Sequence, residues 1–296
     1  MAENGAGGPV VVVGSTGQIG SELLALDWPS RVEVIGAGRD RIDLSAPETV
    51  TATIDALAPS IVINAAAYTA VDRAESEPGP AYAVNAAGVE TLAGACHQAG
   101  ARLIHISTDY VFDGTKGKPY DVADPTSPLG VYGRSKLAGE LACLARPGTT
   151  VVRTAWVYSA TGSNFVKTIR RLAQERDRLG VVADQVGNPS AASDIAAAIQ
   201  AIALDPQPFE GIVHAVAPDT ATWHELASAI VEELGSAATA VVDPITTADY
   251  PTAAARPADS RLDTTLLAER FGHQLRPWRT ALSEVCGLLD RAEARA

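Results

Sequence analysis

PVVVVGSTGQIG, residues 9–20, runs a β-branched apolar stretch directly into three evenly spaced glycines, Gly14, Gly17 and Gly20. Four successive valines bounded by Pro9 and Gly14 read as a strand buried on both faces. A helical pattern over 19–26 follows, so the glycines occupy a strand-to-helix turn. Glycine there lets the backbone turn tightly and come close to a pyrophosphate, which the amides and positive dipole end of the helix receive. The spacing is G-x-x-G-x-x-G and not the commoner G-x-G-x-x-G. In this strand–helix setting it predicts dinucleotide binding through Gly14, Thr16, Gly17, Gln18 and Ile19. The alternative is a turn whose glycines serve only the backbone.

The same alternation continues outward. VEVIGAG (32–38), SIVINAAAY (60–68), RLIHIST (102–108) and TVVRTAWVY (150–158) are strand-like, and a long helical pattern spans 79–98. Apolar strands separated by helices predict an α/β, doubly wound parallel sheet, a Rossmann domain. Beyond 158 come a helical SNFVKTIRRLAQE (163–175), a short GVVAD strand, a helix near 194–204 and GIVHAV (211–216), while 242–257 reads as Pro-rich loop. The expected division is 1–158 with about 193–216 as the nucleotide-binding domain. About 159–192 and 217–296 form a smaller substrate-binding domain closing over the carboxyl edge of the sheet.

Composition narrows the partners. A net charge of −12 with no basic cluster argues against a nucleic-acid surface, so an anionic ligand has to be held locally. Cys96, Cys143 and Cys286 form no CxxC, which suggests reduced, mostly buried thiols of a cytoplasmic protein and no zinc site. The N-terminal MAENGAGG is short and polar, and neither a signal peptide nor a membrane span is expected.

At the end of the second strand, GAGRDRIDLS (36–45) puts Gly38 and Arg39 where an NAD site usually carries an acid for the ribose 2′-hydroxyl. Arg39 suits a 2′-phosphate and tilts the expectation toward NADPH, with NADH possible. Asp40 follows at once, and a solvated loop charge is the competing reading. Asp43 and Leu44 fall beside the adenine.

Tyr132 and Lys136 in LGVYGRSKLAGE (129–140) are four residues apart, hence on one helical face. Only four lysines occur, at 116, 118, 136 and 167. An ammonium close to a phenol lowers its pKa from near 10, making it a better proton donor to a carbonyl as hydride arrives. Ser107, Thr108 and Asp109 end the fourth strand, where a hydroxyl can donate to a developing alkoxide.

These stretches resemble the extended short-chain dehydrogenase/reductases, and within them the dTDP-4-dehydrorhamnose reductases. The resemblance rests on GSTGQIG, INAAAYTAVDRAE (63–75), AVNAAG (83–88), HISTDYVFDG (105–114), YGRSKLAGE (132–140), RTAWVYSATGSNF (153–165), DQVGNP (184–189) and RPADSRLD (256–263). It implies Thr108, Tyr132 and Lys136 as the reacting trio, and Ala65, Ala66 and Ala67 along the cofactor path. Asn85 would support the site through ordered water. Trp156 and Asn164 would face the sugar, and Gln185 and Arg256 the nucleotide-sugar, with Arg256 toward the diphosphate. The implied substrate is a dTDP-linked 4-keto-6-deoxysugar and the implied assembly a homodimer. Some family members dimerise through a divalent ion; Glu22 alone matches such a position, so no metal is expected. Gly162 stands late after WVY, and Asn-Pro-Ser in DQVGNPS replaces the more usual Pro-Thr. The alternatives are a reductase of another nucleotide-linked 4-keto-6-deoxysugar, an epimerase or dehydratase on the same scaffold, and a non-catalytic NADP-binding regulatory subunit.

Overall fold

The computed structural model describes residues 7–238 and 240–294; residues 1–6 of the polar N-terminal stretch lie outside them. The valine run forms β1 (Val10–Val13), buried at every position. It pairs in parallel with β2 (Val34–Ala37) on one side and β3 (Ile61–Asn64) on the other. With β4 (Arg102–Thr108), β5 (Thr149–Thr154) and β6 (Gly211–His214) it builds a six-stranded parallel sheet in the order β6-β5-β4-β3-β1-β2. The strand order reverses between β1 and β3, so the crevice beyond their carboxyl ends is the ligand position of such a sheet.

Period-two alternation sends β1 to two cores. Val10 and Val12 pack with Ile63, Ile104, Val152 and the helix Ala192–Leu204. Val11 and Val13 pack with Val62, Leu103, Leu92 and Ile54 on the opposite face. Covering both faces with helices is what lets each strand be continuously apolar. A third core gathers Tyr158, Ile169, Leu226, Ile230, Trp278 and Leu282. Tyr158 donates to the Trp278 carbonyl at 2.9 Å and anchors the C-terminal helix Trp278–Glu293. Leu267 and Leu275, late in the chain, pack instead against the sheet core.

The stretch expected as loop over 242–257 begins differently. Val241–Ile245 is a strand, paired in parallel with Arg178–Val182. Pro244 and Asp243 hide it from a propensity reading, but this is an edge strand of a two-stranded pair, where a missing N–H is tolerated. Arg178 ion-pairs with Asp243 across the two strands. The three cysteines are free and buried, as their scatter suggests.

Candidate active site

β1 and β3 end in register, Val13 opposite Asn64, so Gly14 and Ala65–Ala67 emerge side by side. Gly14 has φ +75, and a Cβ on it would lie 2.7 Å from the Ala66 backbone nitrogen, so the turn requires glycine. The helix Gln18–Ala25 starts at Gly17 with no side-chain cap, which leaves its first amides open toward the cleft. A cleft of ≈ 720 Å³ runs along this edge. Gly14, Thr16, Gly17, Gln18, Ile19, Arg39, Asp43, Leu44 and Ala65–Ala67 line it together with Thr108, Tyr132, Lys136, Trp156 and Asn164. Tyr68, Ser107 and Thr154 also line the cleft, and their buried hydroxyls have no partner among the described residues, as a polar ligand site requires. Glycine cradle, open helix amides and orphan hydroxyls together fit a dinucleotide and a polyhydroxylated substrate.

At the adenosine end, Arg39 Nε donates to Asp43 Oδ2 at 3.0 Å while its side chain stays mostly exposed. Hydrogen bonds from the Ser45 hydroxyl and amide, ahead of Arg39, hold the Asp43 carboxyl below the usual range. Asp43 thereby orients the guanidinium without enclosing it.

Thr108 closes β4, donating from Oγ1 to Asp109 Oδ1 at 3.0 Å and accepting the Tyr110 amide at 3.2 Å. Asp109 is buried, and burial pushes its carboxyl up to about 6, opposed by the nearby Ser260 and Thr108 hydroxyls. The helix Val131–Leu144 carries Tyr132 and Lys136, and its first amide, Val131, donates to Glu75 Oε1 at 2.6 Å. Asn85 sits in a π-helical turn, Ala83–Ala87, of the kind frequent at functional sites. Its side chain bonds the protein directly: Oδ1 accepts the Tyr68 amide at 2.8 Å, and Nδ2 donates to the Tyr68 carbonyl and to Ser135 Oγ, each at 3.0 Å. The Tyr68 loop is thereby locked to the helix bearing the Tyr132–Lys136 pair.

The phenol does not behave as the i, i+4 spacing suggests. Burial pushes Tyr132 up to about 12; the Thr108 hydroxyl opposes this and the Asp109 charge adds to it. Lys136 turns inward, donating to the Ile106 carbonyl at 2.7 Å, and burial pushes it down to about 8 against the Glu140 carboxylate. Tyr132 is therefore a fully protonated phenol at neutral pH, with its proton in place to be donated.

Trp156 has φ +45, an uncommon strain for a bulky residue, and its indole stacks on Trp223 at 3.5 Å with rings 5° from parallel. Gly187 makes this possible, since a Cβ there would lie 2.5 Å from the Trp156 ring. Gly187→Ala is expected to displace the indole, raising substrate KM by about tenfold or more while cofactor affinity stays within about twofold. Titration of each ligand separately checks this. Asn164 lines the cleft, yet its side chain is committed: Oδ1 caps the following helix through the Lys167 amide, and Nδ2 donates to Gln18 Oε1 at 2.9 Å. Gln185 stands behind the indoles, accepting from Trp223 Nε1 at 3.2 Å and donating to Thr247 at 3.0 Å. Arg256 is held by both oxygens of Asp72, at 3.0 and 2.7 Å. Neither Gln185 nor Arg256 is in the cleft wall. Trp223, Tyr68 and Thr154 are cleft residues that sequence reasoning did not single out: Tyr68 and Thr154 lie inside the stretches 63–75 and 153–165 but at positions given no role there, and Trp223 lies outside every quoted stretch.

Comparison with known proteins agrees with this geometry. A family described as RmlD substrate binding domain matches residues 8–290. A dTDP-4-dehydrorhamnose reductase of Sinorhizobium fredii is 45% identical over 278 residues, covering 91% of this chain and 93% of its own. The crystal structure of a dTDP-4-dehydrorhamnose reductase from Clostridium acetobutylicum superposes with a TM-score of 0.90 at 35% identity, covering 95% of this chain and 99% of the other. That of the Bacillus anthracis dTDP-4-dehydrorhamnose reductase, in complex with NADP, gives 0.89 at 33% identity over 94% and 98% of the two chains. Sequence match along nearly the whole chain, together with the glycine cradle and the Thr108, Tyr132 and Lys136 cluster, places this chain in the dTDP-4-dehydrorhamnose reductase family of extended short-chain dehydrogenase/reductases.

Proposed function

We propose that the protein reduces the 4-keto group of dTDP-6-deoxy-L-lyxo-4-hexulose to give dTDP-L-rhamnose, using NADPH and accepting NADH less well. The observation that carries this is the meeting, in one cleft, of the glycine cradle with Thr108, Tyr132 and Lys136. The reduced nicotinamide, when bound, supplies the hydride. Gly14, Gly17 and the first amides of the helix Gln18–Ala25 would hold its pyrophosphate, Arg39 the adenosine ribose, and Ala65–Ala67 the path between them. Thr108 and Tyr132 would donate to the carbonyl oxygen as negative charge develops, and Tyr132 would give up its proton. Lys136 would meet the nicotinamide ribose.

Trp156, backed by Trp223 and Gln185, would face the sugar, and Asn164 would set the wall between sugar and cofactor. Arg256 serves a diphosphate in this reading by exchanging Asp72 for phosphate oxygens. The division into a nucleotide-binding part, 1–158 with about 193–216, and a substrate-binding part belongs to the same proposal. So do cytoplasmic location and a homodimer; among the described residues no helix is long and apolar enough to cross a membrane.

The test is the rate of NADPH and NADH consumption with enzymatically generated keto-sugar. Faster NADPH oxidation supports the reading and the role of Arg39. Tight NADPH binding with no turnover on this or any other nucleotide-linked 4-keto-6-deoxysugar would replace it with a regulatory one.

A further inference from the structure

The reaction as described uses only the alanines of INAAAYTAVDRAE (63–75), whose end forms a short helix, Val71–Ser76. The two acids of this helix reach different parts of the chain. Asp72 Oδ1 accepts the Ala254 amide at 3.1 Å, and its two oxygens accept from Arg256 at 3.0 and 2.7 Å. Glu75 Oε1 accepts the Val131 amide at 2.6 Å, the first of the helix that carries Tyr132 and Lys136. Between the acids, Ala74 is wholly buried and packs in one cluster with Val131 and Tyr132.

The start of a helix leaves amides without partners, and the residue before it usually offers a side-chain oxygen. Gly130 holds that position ahead of Val131 and has no side chain to offer. Its φ of −111 and ψ of 173 suit any residue, so the backbone does not call for glycine there. Space does: a Cβ on Gly130 would lie 2.7 Å from Glu75 Oε1. Glycine thus yields the cap to a carboxylate from another helix, whose charge suits the positive end of the helix dipole. The same Cβ would lie 3.8 Å from Ala254 Cβ, and Tyr132, Gly130, Ala254 and Ala255 line one small cavity. The loop held by Asp72 and the helix start held by Glu75 are therefore neighbours. Hydrogen bonds from Arg256, ahead of that from Ala254, keep the Asp72 carboxyl below the usual carboxylate range.

We propose that Asp72 and Glu75 are positioning residues: through the helix Val71–Ser76 they fix the separation between the proton donor Tyr132 and the loop of Arg256, which takes the anionic end of the substrate. This rests on the reductase reading. The substrate is held at two ends, an anionic handle and a reacting carbonyl. Binding at the handle orients the carbonyl only if the two protein ends keep a set separation. Glu75 sets one end through Val131, the residue before Tyr132. Asp72 sets the other by aiming the free guanidinium. Once phosphate oxygens take Arg256, the Ala254 amide still ties the loop to Asp72.

Glu75→Ala is expected to lower kcat by about tenfold or more, with the keto-sugar KM within about twofold. Glu75→Gln keeps an oxygen at the same reach and should recover most of the loss. Glu75→Asp keeps the charge but draws the oxygen back by a methylene. It should resemble Glu75→Ala, and it serves in its place if that variant does not fold. Asp72→Ala should raise KM by about three- to tenfold and leave kcat within about twofold. Because both acids act through one helix, the double variant should lose less in kcat/KM than the product of the single losses. Amide hydrogen exchange over residues 131–135 needs no turnover, so failure here and failure of the reductase reading are distinguishable. Exchange should quicken in Glu75→Ala and not in Glu75→Gln. Unchanged exchange in Glu75→Ala, a Glu75→Gln variant as slow as Glu75→Ala, or single losses that multiply would each overturn the proposal.

Discussion

Tyr132→Phe is expected to lower kcat by about 10²–10⁴-fold and leave NADPH affinity within a few-fold. The phenol is held at about 12 by burial, so at neutral pH it carries its proton through the whole approach of the substrate. Phenylalanine keeps the ring, which packs edge-on against Tyr110 with centroids 5.9 Å apart, and removes only the donated proton. The loss should fall on kcat and kcat/KM alike, because the missing interaction belongs to the transition state. Single-turnover measurement of NADPH oxidation separates this from slow product release. Retention of more than a tenth of the wild-type rate would point to another proton source, and Asp109, in contact with Thr108, would be the first to examine.

Glu140→Ala is expected to destabilise the fold by about 3–5 kcal/mol, the largest single loss on stability outside the core aliphatics. Glu140 and Arg153 are almost wholly inaccessible and form a two-point pair, Nε–Oε1 2.9 Å and Nη2–Oε2 2.7 Å. Arg153 also lies over the Phe112 ring, 5.0 Å from its centroid. Removing the carboxylate leaves a guanidinium charged, buried and unmatched, which costs far more than the pair is worth over an apolar replacement. The double variant Glu140→Leu with Arg153→Met should accordingly recover most of the loss. Denaturant unfolding of wild type, single and double variants checks both halves; a single variant within about 1 kcal/mol of wild type would mean that water reaches the guanidinium. The pair also ties the helix Val131–Leu144 to β5, one turn beyond Lys136. Activity of the single variant should therefore fall before it unfolds.

How much of this was legible in the sequence varies by element. The sheet was, because four valines covered on both faces and a glycine turn leave little choice of architecture. The strand Val241–Ile245 was not, because Pro244 and Asp243 are poor strand formers whose place on an edge is decided by the partner Arg178–Val182. Spacing correctly predicted that Tyr132 and Lys136 share a cleft. It could not say where a four-carbon side chain ends, and the Ile106 carbonyl, not the phenol, takes the Lys136 amine. For the same reason Arg256 and Gln185 were named without their partners: Asp72 and Trp223 come from elements far along the chain. Asn85 stands out in AVNAAG, but its direct bonds to the Tyr68 loop depend on a π-helical turn that AVNAA does not announce.

The central claim is that hydride reaches the 4-keto carbon in this cleft while Tyr132 protonates the oxygen. Its most direct test is turnover with NADPH carrying deuterium at the transferable position of C4, followed by NMR of the sugar product. One deuterium at sugar C4, with solvent-derived hydrogen on its oxygen, is the predicted result. Deuterium at any other sugar carbon, or retained in the oxidised cofactor while sugar is consumed, would contradict the account.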